Sequence, residues 1–87
     1  MAKKVQFYVK ITNPEGLVYG GNVASISSTN DDGPFDILSY HANFITIIKD
    51  QLTLRTDDGK EKKYKLDTGI LRVMKNVVDV YLGIEVY

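Results

Sequence analysis

The sequence predicts an all-β protein, a small sandwich of two antiparallel sheets that forms a single domain over residues 1–87. Apolar and polar residues alternate with period two along most of the chain, as they do in strands with one buried face. Turn-forming residues separate these short segments, and no stretch of helical length carries the i, i+3, i+4 apolar spacing. Hydrophobic residues make up 44% of the chain, which is enough to build one core.

The first half of the chain alternates clearly and is interrupted by two polar turns. A strand is predicted over residues 5–11, and it ends at the turn Asn13-Pro14-Glu15-Gly16, where Pro and Gly suit the turn geometry. Residues 17–19 and 23–27 are predicted as strands bent at Gly20-Gly21, a place for a β-bulge or a close backbone approach. Residues 30–34 are predicted to form a polar loop.

The second half contains the clearest hairpin pattern. In Asp57-Asp58-Gly59-Lys60 the glycine is expected to adopt a left-handed conformation between two strands. Residues 44–48, which are apolar except for Thr46, are expected to form a buried strand. Further strands are predicted over residues 52–56 and over the return segment of this hairpin, which contains Tyr64 and Leu66. The last predicted pair of strands covers residues 69–73 and 77–82 and is joined at residues 74–76. Ile84 and Val86 continue the alternation.

Composition excludes several classes of function. The chain has 11 basic and 11 acidic residues, so it lacks the basic excess with which nucleic-acid-binding proteins neutralise phosphates. The run Lys60-Glu61-Lys62-Lys63 directly follows a turn and is expected to be a solvated hairpin end. Cysteine is absent, which excludes disulfides and thiolate metal sites. No apolar run approaches the ~20 residues of a membrane span, so we expect a soluble chain that meets a membrane only through a partner.

No catalytic, cofactor-binding or metal site is predicted. His41 is the only histidine, and a contact or structural role is expected because neither a metal site nor a triad forms from one histidine alone. Asp31-Asp32-Gly33 lacks the spaced ligands of a calcium loop and is interpreted as a turn. Gly20-Gly21 leads into strand residues, not into a phosphate-binding helix N-terminus. Tyr8 and Tyr40 are predicted to point outward.

Three segments occur in an order that identifies a family. They are Val18-Tyr19-Gly20, residues 33–46 (GPFDILSYHANFIT) and residues 68–80 (TGILRVMKNVVDV). From about residue 4 to residue 82, the chain resembles the N-terminal β-sandwich domain of the epsilon subunit of F-type ATP synthase. It differs where the family usually has glycine or proline, at Asp36, Ser39, Asn43 and Thr68.

The resemblance implies a non-catalytic rotor subunit without cofactor, peripheral to the cytoplasmic face of the membrane and monomeric when isolated. Its implied partners are the gamma subunit and the c-ring. Asp31, Asp32, Gly33 and Pro34 resemble the part that meets the c-ring, and Asn13, His41 and Thr46 resemble positions that face gamma. The alternative interpretation is a stand-alone β-sandwich module that binds a protein or a carbohydrate.

Epsilon subunits usually continue into a C-terminal helical hairpin that restrains ATP hydrolysis. Residues 83–87 alternate like a strand, and each helical residue would add only about 1.5 Å. We therefore expect the 87 residues to support rotor assembly without latching the enzyme by that route.

Overall fold

The computed structural model describes residues 6–38 and 43–83, and these residues form seven strands. In chain order they are β1 (Phe7–Asn13), β2 (Gly16–Val23), β3 (Ser25–Asn30), β4 (Gly33–Leu38), β5 (Phe44–Arg55), β6 (Glu61–Met74) and β7 (Val77–Leu82). Hydrogen bonds join them in the order β2-β1-β7-β6-β5-β3-β4. The β1–β7 pair is parallel, and the other pairs are antiparallel.

Two long strands divide the sheet into two layers. β5 has 12 residues and β6 has 14. The first layer consists of β2, β1, β7, residues 69–74 of β6 and residues 44–48 of β5. The second layer consists of residues 61–66 of β6, residues 50–55 of β5, β3 and β4. β5 and β6 therefore carry the chain from one layer to the other.

The change of layer coincides with irregular backbone. The β5–β6 register shifts between Ile48 and Asp50, where Asp50 has a left-handed φ of 72°, and the β3–β5 register shifts after Ser28. The fully buried Ser28 hydroxyl donates a hydrogen bond to the main-chain oxygen of Gln51 at 2.6 Å. Bulges of this kind bend a strand and increase its twist, which allows one ladder to serve two layers.

One hydrophobic core lies between the layers and receives side chains from all seven strands. Its buried members are Phe7, Val9, Ile11, Val23, Ile26, Ile37, Ile48, Leu52, Leu54, Leu71, Val73, Val78 and Val80. The rings of Phe35 in the second layer and Phe44 in the first meet edge to face, 6.4 Å apart. The ammonium of Lys62 lies 5.3 Å from the ring centre of Tyr19, again across the layers.

The predicted all-β sandwich is confirmed, and its turns lie where the sequence placed them. Gly16, Gly33 and Gly59 have φ of 133°, 115° and 85°, which L side chains rarely adopt. Tyr8 is exposed, as predicted. Val5, Tyr40, Ile84 and Val86 lie outside the described residues.

Several predicted element bounds were wrong. Residues 44–48 and 52–56 belong largely to one strand, β5, and Tyr64 and residues 69–73 belong to one strand, β6, because the bulge bends the ladder without ending it. β4 lies in a segment for which no strand was predicted. The bulge expected at Gly20-Gly21 occurs instead near Val18, between the pairs Ile11–Tyr19 and Thr12–Leu17. At Gly20 the structure instead has a close approach to the backbone, since a Cβ there would lie 2.7 Å from the Tyr8 hydroxyl.

Candidate partner-contact surfaces

The β3–β4 turn exposes two adjacent carboxylates. Asn30 Oδ1 accepts a hydrogen bond from the main-chain N–H of Asp32 at 2.9 Å, which fixes the turn from inside. The side chain of Asp31 is fully exposed and lies 3.5 Å from the Lys49 ammonium, and Asp32 is also exposed. Pro34 follows at the start of β4, an outermost strand, where its missing N–H is tolerated. The turn is therefore an exposed acidic projection whose main chain is held by Asn30.

Thr46 lies against this turn. Asn30 Nδ2 donates a hydrogen bond to the Thr46 hydroxyl at 3.2 Å, so one asparagine ties the β3–β4 turn to β5. Five residues of the predicted contact set thus lie together: Asp31, Asp32, Gly33, Pro34 and Thr46. Thr46 is half-buried on the inner side of its strand, and its hydroxyl accepts the hydrogen bond from Asn30 in the turn.

Asn13 and His41 do not join this group in the described structure. Asn13 Oδ1 accepts hydrogen bonds from the main-chain N–H groups of Glu15 at 2.9 Å and Gly16 at 3.1 Å. Asn13 thus holds the β1–β2 turn as Asn30 holds the β3–β4 turn, and the two share an Asn-x-x-Gly pattern. β7 and β6 lie between β1 and β5, which separates these strands by about 14 Å. His41 lies outside the described residues, and its predicted contact stays a prediction.

The outer face of the first layer is a surface that sequence reasoning missed. The strand register places its exposed apolar side chains in adjacent rows across β5, β6, β7 and β1. They are Tyr8, Ile45, Ile47, Met74, Val77 and Tyr81. Ile45 is 65% exposed and Ile47 is 49% exposed, values unusual for isoleucine. We call this set the apolar outer face.

A single ion pair lies within the apolar outer face. Arg72 Nη2 donates to Asp79 Oδ2 at 3.0 Å, and these two residues pair across β6 and β7. The hydrogen bond with Asp79 raises the pKa of Arg72. Lys10 lies opposite Asp79 in the register of the neighbouring strand, β1, and its side chain is exposed on the same face. Arg72 and Asp79 satisfy each other, so a partner that covers this face has to leave the Lys10 ammonium in water or pair it with an acidic group.

Two clefts border the apolar outer face. One, of about 190 Å³, is lined by Thr12, Asn13, Pro14, Tyr81 and Leu82. The other, of about 250 Å³, is lined by Asn43, Phe44, Ile45, Arg72, Val73 and Met74. Each has room for a side chain from a partner, although neither has the size of a cofactor site.

The outer face of the second layer is polar by contrast. One row across it contains Lys63, Thr53, Ser27 and Asp36, and the Ser27 hydroxyl donates a hydrogen bond to Asp36. In the next row the Arg55 guanidinium pairs with Glu61, and this hydrogen bond lowers the pKa of the Glu61 carboxyl. The two outer faces therefore differ: among the described residues, the outer face of the first layer exposes the six large apolar side chains of the apolar outer face, and that of the second layer exposes Leu38.

The sequence contained a sign of this asymmetry. Ile45 and Ile47 alternate with Phe44 and Ile48 in a nearly continuous apolar run. Runs of this kind are typical of strands covered on both faces. Residues 44–48 were predicted to be buried. This prediction was wrong for the outer face of the strand, where Ile45 and Ile47 are exposed, because the second layer covers the inner face only.

Within residues 6–38 and 43–83, no three His, Cys, Asp or Glu side chains come together as a metal site would require. The same residues include no helix with the length and apolar character needed to cross a membrane.

The described residues thus form an all-β sandwich with one apolar outer face and one acidic turn. The family model for the β-sandwich domain of the ATP synthase delta/epsilon chain matches residues 6–82. The chain belongs to this family.

Curated relatives agree with this assignment. The ATP synthase epsilon chain of Clostridium botulinum (strain Eklund 17B / Type B) is 32% identical over 76 residues, which cover 86% of this chain and 57% of the relative. The epsilon chain of Clostridium novyi (strain NT) is 37% identical over 68 residues, with coverage of 77% and 52%. This chain spans about half the length of the relatives that it matches.

Solved structures show the same fold. A chain in the mitochondrial ATP synthase of Euglena gracilis (OSCP/F1/c-ring) superposes with a TM-score of 0.84 at 21% identity, over 93% of this chain and 52% of that one. A chain in the central stalk/c-ring of the Tetrahymena thermophila enzyme has a TM-score of 0.74 at 14% identity, over 93% and 66%.

Proposed function

We propose that this chain is a non-catalytic rotor subunit in the central stalk of a proton-translocating F-type ATP synthase, at the cytoplasmic face of the membrane. There it links the gamma subunit to the c-ring. Family membership supports this role over a stand-alone binding module, because the curated relatives are named ATP synthase epsilon chains. A rotor link needs a stiff body with separate regions for two partners, and a sandwich supplies such a body.

The observation that carries the proposal is the contrast between the two outer faces. Gamma would cover the apolar outer face, since a coupling that transmits torque requires a broad, dry contact. Covering Ile45, which is 65% exposed, removes apolar area worth about 1–2 kcal/mol. The ion pair between Arg72 and Asp79 would then lie inside the contact, where a paired charge favours one orientation of the partner.

The c-ring would meet the acidic β3–β4 turn. Asp31 and Asp32 project into solvent from a turn that Asn30 holds in place, so no ordering of the loop is needed on binding. This division gives each partner its own surface: a sheet face for gamma and a turn for the c-ring.

Binding of the purified chain to a gamma-containing catalytic subcomplex tests the proposal. Ile45→Lys places a charge within the apolar outer face, and we expect its affinity for gamma to fall by at least about tenfold. Leu38→Lys is the matched control, because Leu38 is similarly exposed, at 60%, but lies on the polar outer face of the second layer.

Two results would contradict the proposal in different ways. If the wild-type chain does not bind gamma, the rotor assignment fails. If it binds and both lysine variants bind equally well, gamma uses a surface other than the apolar outer face. Urea unfolding of both variants checks that stability is retained, since exposed substitutions usually change it by less than about 0.5 kcal/mol.

A further inference from the structure

The chain contains the triplet Asp-Asp-Gly twice, at residues 31–33 and at residues 57–59. Aspartate followed by glycine is the sequence most prone to spontaneous isomerisation, because glycine offers no side chain to hinder attack by its main-chain nitrogen. We propose that Asp32 is a site of isoaspartate formation in the folded protein and that the fold protects Asp58 from the same reaction. This inference does not depend on the proposed rotor function.

The reaction needs only the chain and water. The Gly33 main-chain nitrogen attacks Cγ of the neutral Asp32 carboxyl, a C–N bond forms, and the carboxyl OH leaves as water with the amide proton. Water then adds to the resulting succinimide. Opening at the Cγ carbonyl restores aspartate, and opening at the main-chain carbonyl of Asp32 yields isoaspartate. One water is lost and one is gained, and nothing is oxidised or reduced.

The nucleophile does not distinguish the two sites. Gly59 donates its N–H to the Thr56 carbonyl at 3.1 Å, which closes a four-residue turn. Gly33 pairs with Asn30 at the same position of the β3–β4 turn. Both glycines have positive φ, 85° and 115°. Any difference in rate must therefore come from the carboxyl group.

The Asp58 carboxyl is held in place. The Thr56 hydroxyl and the Lys60 main-chain N–H both donate to Asp58 Oδ1, the latter at 3.3 Å, and the Lys60 ammonium lies 3.8 Å from Oδ2. The Thr56 hydroxyl first, and then the Lys60 N–H, lower the pKa of this carboxyl. Turning Cγ toward Gly59 would break these contacts, and less of the reactive neutral acid is present.

Asp32 is placed differently. Its main-chain N–H is bound by Asn30 Oδ1, but no hydrogen bond or ion pair holds its carboxylate within the described part of the chain. The side chain is exposed. The lysine that approaches this turn, Lys49, pairs with Asp31 instead. The Asp32 carboxyl is free to rotate toward the Gly33 nitrogen.

Isomerisation at Asp32 would alter the exposed turn. The main chain would pass through Cβ and Cγ, which lengthens it by one methylene between Asp32 and Gly33. The free carboxylate would move to the main-chain position. A turn closed by a specific pairing between Asn30 and Gly33 does not keep its register with an added backbone atom.

Incubation of the full chain at neutral pH and physiological temperature, followed by peptide mapping and enzymatic methylation of isoaspartate, tests the proposal. We expect isoaspartate at Asp32 to form at least about threefold faster than at Asp58, because the Thr56 hydroxyl and the Lys60 N–H hold the Asp58 carboxyl, and such contacts on an exposed charged group are worth a few-fold. In urea, the two sites share the same local triplet, and the ratio should fall close to one.

Two variants separate the fold from the local sequence. Thr56→Val removes the hydroxyl that binds Asp58, and we expect it to accelerate isomerisation at Asp58 while leaving the rate at Asp32 unchanged. Asp32→Glu should abolish the product at that position. Equal rates in the folded protein, a faster Asp58, or a ratio that persists in urea would each overturn the inference.

Discussion

Gly69 lies in β6 where three neighbours leave no room for a side chain. A Cβ at this position would lie 2.9 Å from the Tyr81 main-chain oxygen and 3.3 Å from the side chains of Ile48 and Leu82. The closest of these atoms belongs to the backbone of the paired strand, which moves only if the pairing distorts. We expect Gly69→Ala to lower the free energy of unfolding by about 1–3 kcal/mol in urea titrations.

Gly20→Ala is the matched comparison. A Cβ there would meet the Tyr8 hydroxyl at 2.7 Å, but this is the end of an exposed side chain that can swing away. Its cost should be clearly smaller than that of Gly69→Ala. Equal costs at the two glycines would show that the contact with backbone is not what excludes alanine at Gly69.

Individual residues also show where sequence reasoning stops. The buried alternation of Phe7, Val9 and Ile11 followed directly from the period-two pattern. The capping roles of Asn13 and Asn30 did not, because an asparagine before a turn can either bind the backbone or project outward. Asn13 was therefore predicted as a contact residue, although its carboxamide oxygen is bound within its own turn.

At the scale of elements, the β5–β6 hairpin links surface charge to stability. The Thr56 hydroxyl lowers the pKa of the Asp58 carboxyl from its ordinary value of 3.8, and the Arg55 guanidinium lowers that of Glu61 from 4.5. Because the pKa of each carboxyl is lower in the folded than in the unfolded protein, both groups stabilise the fold at pH values above their ordinary pKa. This stabilisation is lost as the pH falls from the ordinary pKa through the lowered pKa of the folded state.

A double variant, Asp58→Asn with Glu61→Gln, tests this linkage. We expect its free energy of unfolding to decrease less steeply on acidification than that of the wild type, by a small margin because both groups are exposed. Urea unfolding at a series of acidic pH values measures the two slopes. Identical slopes would show that these hydrogen bonds do not persist in solution.

The hairpins were predictable as elements, whereas the two long strands were not. Asp57-Asp58-Gly59-Lys60 specified its turn because Gly59 fits the left-handed position. At Asp50, by contrast, a residue other than glycine adopts a φ of 72°, and the local sequence does not predict a bulge there. The pairing of β5 with β3 and β6 imposes it. The sequence therefore led us to expect two short strands where one continuous strand bends.

At the scale of the whole molecule, the alternation of apolar and polar residues predicted the fold class and part of the candidate contact surface. The turn of Asp31 and Asp32 was visible as a polar interruption between apolar segments. The apolar outer face was not, because its members come from four strands and only the register brings them together. A surface assembled across a sheet has no contiguous motif in the chain.

The last prediction concerns the acidic turn and the c-ring. Reversing charge in the double variant Asp31→Lys, Asp32→Lys should weaken binding to an isolated c-ring. Stability should change by less than about 0.5 kcal/mol, because both side chains are exposed. The difference from wild type should shrink at high salt, where exposed charges are screened over a few ångströms.

The second Asn-x-x-Gly turn supplies the control for this experiment. Glu15→Lys reverses an exposed carboxylate in the same type of turn, about three strand spacings from β5, and should leave c-ring binding intact. Binding is measured by co-sedimentation with detergent-solubilised c-ring, and stability by urea unfolding of each variant. Because the double variant reverses two carboxylates and Glu15→Lys reverses one, a loss of binding free energy in Glu15→Lys of half that in the double variant would mean that net charge matters and position does not. If the double variant unfolds, the aspartates act in the turn itself, and the c-ring must contact another part of the molecule.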